Sequence, residues 1–163
     1  MLVSTWKATF VVMGVLGGMT IGGYLAANPA QAGPSKPQVI VLTQTGCQFV
    51  EPEGGDKDFH TTSAADCKAI NARTAEQRLA AAKTLELKPG KYIFRVINKN
   101  VPYELGFYLR GASLISRLKL PKVSGGGILL GMTKDFEVKL KEGGYLYSCP
   151  LNPTPNYRLV VKR

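Results

Sequence analysis

Cys149 and His60 are the residues whose types could do the most chemistry. Cys149 stands in Tyr145-Leu146-Tyr147-Ser148-Cys149-Pro150, at the end of a strand-like run. His60 is the single imidazole of 163 residues. One histidine excludes every site that needs two imidazoles from one chain, including two-histidine zinc centres. A Ser-His-Asp triad would have to use His60 as its base. No nucleophile–base pair or paired carboxylates are visible. Gly125-Gly126-Gly127 lacks the Lys-Ser/Thr of a phosphate-binding loop, so no enzyme is expected.

The other two cysteines, Cys47 and Cys67, flank one polar segment and form the natural disulfide pair. Closing a loop of about 20 residues stabilises by roughly 3 kcal/mol in the loop-entropy picture. Cys149 is then the odd thiol. It has two readings: a small apolar residue packed at a strand end, or a soft donor. Thiolate and thioether suit Cu(I), and Met132, Glu104 or His60 could complete such a site. Glu104 follows Tyr103 and, by strand alternation, faces the other way, toward solvent. His60 lies in a polar loop with Asp56, Lys57 and Asp58, where a histidine is ordinarily exposed.

The elements that position these residues begin after a targeting segment. Lys7 is the only charge before Lys36. Between them lie the apolar run Ala8–Ala27, then Asn28-Pro29 and Ala30-Gln31-Ala32. A basic start, an apolar stretch and an A-x-A site predict a signal peptide over residues 1–32, cleaved after Ala32. The same run is long enough to be an uncleaved anchor. Either way, residues 33–163 are expected outside the cytoplasm: in the periplasm, in the thylakoid lumen or secreted. The formal charge is +10, with 45% hydrophobic and 20% charged residues, which excludes a disordered chain and leaves room for one domain.

Val39–Thr43 reads as a strand and residues 47–62 as a polar loop. Ser63 with Asp66 suggests a capping box. Ala65, Ala69, Ala72, Ala75, Leu79 and Ala82 then recur at helical spacing, predicting a helix over 64–83. Its inward stripe is expected to be these alanines and its outer face Lys68, Arg73, Glu76 and Arg78. Strands of period two follow at Leu85–Leu87, Tyr92–Ile97, Tyr103–Leu109, Phe136–Leu140, Tyr145–Cys149 and Tyr157–Lys162. Residues 111–131 read as irregular, with a helical turn at Leu114–Leu118. Seven short strands and one early helix predict a mainly β sandwich with helical insertion 47–83.

The segments Leu87–Leu109 (LKPGKYIFRVINKNVPYELGFYL) and Phe136–Pro150 (FEVKLKEGGYLYSCP) resemble the cupredoxin pattern. There, a G-x-Y-x-F-x-V-x-N strand precedes the first copper-binding histidine, and a G-x-Y-x-Y-x-C segment carries the copper-binding cysteine. The resemblance implies a cupredoxin-like Greek-key β-sandwich. It puts Tyr103 at the first histidine, Cys149 at the cysteine, Asn152 at the second histidine and Tyr157 at the methionine. Only one of four ligands is kept. A type 1 centre needs two imidazoles and a thiolate, so the fold is expected without the family's electron-transfer site. No cofactor is expected, with copper on Cys149 in a non-blue site as the alternative.

Tyr103, Tyr108, Tyr145, Tyr147 and Tyr157 are expected to gather where the metal would sit and fill the core. Arg110, Arg117, Lys119 and Lys122 form a basic cluster that could dock an acidic or redox partner protein of the envelope, or anionic lipid. Nucleic acid is not an expected partner. The N-terminal run would add membrane contact only if it stays uncleaved.

Overall fold

The computed structural model describes residues 36–163. The expected signal peptide or anchor, residues 1–32, lies outside them. Nine strands and three helices follow in the order β1 (Gln38–Thr45), β2 (Gln48–Phe49), α1 (Val50–Glu53), α2 (Ala64–Ala81), β3 (Leu85–Leu87), β4 (Gly90–Asn98), β5 (Leu105–Gly111), α3 (Leu114–Lys119), β6 (Val123–Ile128), β7 (Thr133–Leu140), β8 (Gly143–Ser148) and β9 (Tyr157–Val161).

They form two sheets, β2-β1-β4-β7 and β3-β9-β8-β5-β6. β1 runs parallel to β4, in register from Gln38 opposite Tyr92 to Gln44 opposite Asn98. β4 pairs antiparallel with β7, and β8 with both β5 and β9. The chain crosses between sheets at β2–β3, β3–β4, β4–β5, β6–β7 and β7–β8, so the fold is a mainly β two-sheet sandwich with one long helix inserted.

Period-two alternation explains the core. Tyr92, Phe94 and Val96 of β4 are buried while Lys91 and Arg95 are exposed. Against them pack Phe107 of β5, Phe136 of β7, Tyr147 of β8 and Tyr157 of β9. Phe107 lies 5.4 Å from Phe94 and 5.2 Å from Phe136 between ring centroids, and Phe49 meets Tyr147 at 5.5 Å. Each fully buried aromatic of this kind contributes about 1.5–3 kcal/mol by area. Every core residue falls between Leu42 and Val161, and Gly33–Arg163 is one compact unit. That unit carries its own core and meets the condition for folding alone.

Three expectations are corrected. Residues 47–62 are not all loop: Gln48–Phe49 pairs with Gln44–Thr45, and Val50–Glu53 makes one helical turn. Residues 111–131 are not all irregular either: Val123–Ile128 is an edge strand on β5. Gly106 of β5 allows the close approach, since a Cβ there would come 2.8 Å from the Gly125 carbonyl oxygen of this strand.

The third correction is the face of α2. Ala65, Ala69 and Ala72 are exposed, and the inward side runs through Cys67, Asn71, Thr74 and Arg78. These residues recur at spacings of four, three and four, so they too share a helix face. Alanines bury too little area to orient a helix. The Cys47–Cys67 disulfide pins its first turn, and a buried ion pair between Arg78 and Glu53 fixes its last. Leu79 and Ala82 pack against the core edge as expected. At the N-terminus of α2, the Asp66 carboxylate accepts from the backbone N–H groups of Thr62 and Ser63, which holds its pKa below the usual range.

Candidate functional site

The C-terminal end of β8, the end of β1 and the loop before β5 meet at a buried polar knot. β8 delivers Cys149, 1% exposed, and the following turn delivers Asn152, fully buried. That turn closes on itself: the Thr154 hydroxyl accepts from Cys149 N at 2.9 Å.

Both polar atoms of the Asn152 side chain are engaged. Its Oδ1 accepts from the hydroxyl of Tyr103 at 3.0 Å and from Cys47 N at 3.1 Å. Its Nδ2 donates to Thr45 O at 2.9 Å. Cys67 Sγ, oxidised in the disulfide, touches Oδ1 at 3.0 Å. The Tyr103 hydroxyl also lies 3.2 Å from the Thr61 hydroxyl. Burial pushes the Tyr103 phenol up, so it is the neutral donor at ordinary pH.

Cys149 Sγ accepts two backbone hydrogen bonds, from Gly106 N at 3.2 Å and Asn152 N at 3.1 Å. Burial raises its pKa, and these amides offset only part of that rise. The side chain of Gln44 also lies against the thiol. Gln44 Nε2 donates to Gly106 O at 2.9 Å, while its buried Oε1 has no partner.

Tyr157 does not join this knot. Its hydroxyl donates to Glu53 and accepts from Phe49 N at 3.3 Å. Glu53, with a side chain 1% exposed, receives Arg78 Nη2 at 2.6 Å and Nε at 2.9 Å. Arg78 also donates to Asn71 Oδ1 at 2.6 Å and to Cys47 O at 3.0 Å. The backbone of Cys47 thus joins two clusters: its N–H goes to Asn152 and its carbonyl to Arg78. Cys47 is held at φ 60°, a left-handed conformation that a non-glycine residue adopts only under constraint. Burial and the adjacent Glu53 carboxylate push the Tyr157 phenol far up.

The remaining candidates lie elsewhere. Glu104 is exposed, and its Oε1 accepts from Gly127 N at 2.6 Å. Met132 is 46% exposed, with its carbonyl accepting from Asn98 N. His60 is exposed beside a surface hollow shared with Asp66, Asn100 and Pro102. None of these contacts involves Cys149, and no three His, Cys, Asp or Glu side chains converge among the described residues. Tyr145, Tyr147 and Tyr157 fill the core, whereas Tyr108 is half-exposed with the Arg110 guanidinium 4.6 Å over its ring.

The donor set at the four mapped positions is one thiol, one amide and two phenols. The amide and both phenols are already engaged in protein hydrogen bonds. These residues do not fit a type 1 copper ion, which needs two imidazoles beside the thiolate.

Three residues of these clusters escaped the sequence reading. Gln44 is two residues from the inward-facing Leu42, so strand alternation alone could have flagged it. Arg78 becomes an inward residue once the helix is phased from Cys67 rather than from the alanines. Glu53, in a segment read as loop, gave no signal.

No family model matches the chain, and no curated protein does. Among solved structures, a multi-copper oxidase from Pediococcus acidilactici aligns over 90% of this chain at 14% identity, with a TM-score of 0.39. The chain spans 30% of that oxidase's length. At that score the likeness carries no argument about the chemistry of this chain.

Proposed function

We propose that this chain is an exported binding or accessory module of the cell envelope, built on a cupredoxin-like sandwich and working without a type 1 copper centre. The observation that carries this reading is Asn152: its side chain is committed to Tyr103, Cys47 and Thr45. The mapped ligand positions therefore serve as a structural clasp between β1, the disulfide and the Cys149 turn. Export is supported by the A-x-A sequence at Ala30-Gln31-Ala32 and by the disulfide, which persists in oxidising compartments. A binding role, rather than catalysis, suits a molecule whose buried polar groups are mostly satisfied and whose thiol is buried and protonated. An acidic or redox protein of the envelope is the partner class that the excess of basic over acidic residues in 33–163 favours.

One observation favours a competing reading, a non-blue copper carrier using Cys149. The sulfur accepts two amide hydrogen bonds, an arrangement that also suits a thiolate. Two experiments test the proposal. Fractionation of expressing cells, with intact-mass measurement, should give an envelope protein beginning at Gly33. Copper titration of that protein should show no stoichiometric site. A cytoplasmic protein retaining residues 1–32 would defeat the export reading, and a stoichiometric site lost in Cys149→Ala would install the carrier.

A further inference from the structure

α3 presents its apolar side chains to solvent. Leu114, Ile115 and Leu118 are 78%, 67% and 89% exposed. They sit at i, i+1 and i+4, on one side of a single helical stretch.

The helix is nonetheless firmly built. Ser113 and Ser116 cap it reciprocally: Ser113 Oγ accepts from Ser116 N at 3.1 Å, and Ser116 Oγ accepts from Ser113 N at 3.0 Å. Its backbone lies directly on the end of β5, where a Cβ on Gly111 would come 2.3 Å from the Ser116 carbonyl carbon. Leu120, just after the helix, covers Gly143 at the start of β8, where an added Cβ would meet Cδ1 at 2.8 Å. The inward side is therefore anchored, and the outward leucines are held in place rather than left on a loose loop.

The charge around them has one sign. Between Glu104 and Asp135 there are five basic residues and no acid. Arg117, Lys119 and Lys122 are exposed beside the apolar face. Arg110 is engaged with Ser148 and Asn156. The acid in the neighbouring β7–β8 turn, Glu142, is paired with Arg163 at 3.5 Å. Aliphatic residues flanked by unpaired cations on a preformed helix are the pattern of an interfacial segment, whose apolar face enters the acyl boundary while its cations meet anionic headgroups. Residues 111–135 contain no aromatic side chain of the kind that dominates protein–protein hot spots.

We propose that α3 is a docking surface for an anionic lipid bilayer, with Leu114, Ile115 and Leu118 inserting and Arg117, Lys119 and Lys122 facing the headgroups. The surface works without the N-terminal run and does not depend on the state of Cys149.

The test is flotation of the 33–163 unit, which has its own core, with vesicles of phosphatidylcholine containing about one third phosphatidylglycerol, and with phosphatidylcholine alone. Binding is expected to the anionic vesicles, weakening as salt rises from about 0.05 M to about 0.5 M. Removing two charges in Arg117→Gln/Lys119→Gln should cut partitioning roughly tenfold or more at low salt. Leu114→Ser/Leu118→Ser should cut it about tenfold or more while leaving the melting temperature unchanged, because both side chains are exposed. Equal partitioning onto both vesicle types would overturn the proposal, as would wild-type binding by both double variants. Binding to polyglutamate that needs α3, without vesicle binding, would assign the face to an acidic protein and likewise overturn it.

Discussion

The hydroxyl of Tyr103 donates to Oδ1 of Asn152 across 3.0 Å, joining the two positions at which the cupredoxin resemblance places imidazoles. Two residues that would hold a metal in the family instead hold each other. Asn152 then extends the clasp to the disulfide through Cys47 and to β1 through Thr45.

Asn152→Ala should therefore destabilise strongly. It leaves Cys47 N and Thr45 O buried without these partners, at about 1–3 kcal/mol for each unsatisfied group. Urea unfolding should show a midpoint loss of that order for Asn152→Ala and a smaller loss for Tyr103→Phe, since Tyr103 also borders Thr61 at a less buried edge. Equal, near-zero losses would mean that the clasp is idle.

Arg78 anchors α2 through a buried carboxylate. Arg78→Met leaves Glu53, 1% exposed, with only Tyr157 as a hydrogen-bonding partner. Removing one partner of a buried pair costs about 3–5 kcal/mol. The double variant Glu53→Gln/Arg78→Met should recover part of that loss in a double-mutant cycle. A cost for Arg78→Met no larger than that of Arg73→Met, on the solvent side of α2, would place the pair at the surface.

The phase of α2 shows what the sequence made legible and what it hid. The helix and its Ser63 start could be read from alanine spacing and from Asp66. The strands could be read wherever large apolar residues alternate with charges, as at Tyr92, Phe94 and Val96. Alternation failed for Val123–Ile128, where three glycines erase the pattern that a strand normally shows. The face of α2 was misread because alanines mark a stripe without supplying enough buried area to decide which way it turns; a covalent bond at Cys67 and an ion pair at Arg78 decide it instead. The loss of imidazoles was plain in the composition. The clasp that replaces them depends on Cys47 and Thr45, which meet Asn152 across more than a hundred residues where the two sheets pack together, and no local pattern encodes that.

Stability should fall at alkaline pH. Burial raises the Cys149 pKa above its ordinary 9.0, so the native state favours the neutral thiol. That contribution is complete below the unfolded thiol's value and is lost as pH rises through the raised native one. Burial also pushes up the Tyr147 and Tyr157 phenols, which extends the decline above 10.0. Denaturant midpoints measured upward from pH 8 should decline, and Cys149→Ala should remove the first part of the fall. A flat profile for the wild type would contradict the burial of these groups.

The disulfide should leave one thiol to count. Denatured, unreduced protein should titrate one free thiol, Cys149, and folded protein should react with thiol reagents far more slowly. Reduction of Cys47–Cys67 should lower stability by roughly 3 kcal/mol for a loop of this length. Three reactive thiols in the untreated protein would contradict the pairing.

The measurement closest to the central claim is copper binding by the 33–163 unit. Wild type and Cys149→Ala would be titrated with Cu(II) and, under reducing anaerobic conditions, with Cu(I), following metal content and visible absorption. With Tyr103 and Asn152 bound to each other and Tyr157 bound to Glu53, the account predicts no intense blue band and no stoichiometric copper. It also predicts a stability loss of about 1–2 kcal/mol for Cys149→Ala, as for an ordinary buried truncation. An intense blue band in the monomer, or one equivalent of tightly held copper that disappears in Cys149→Ala, would contradict it.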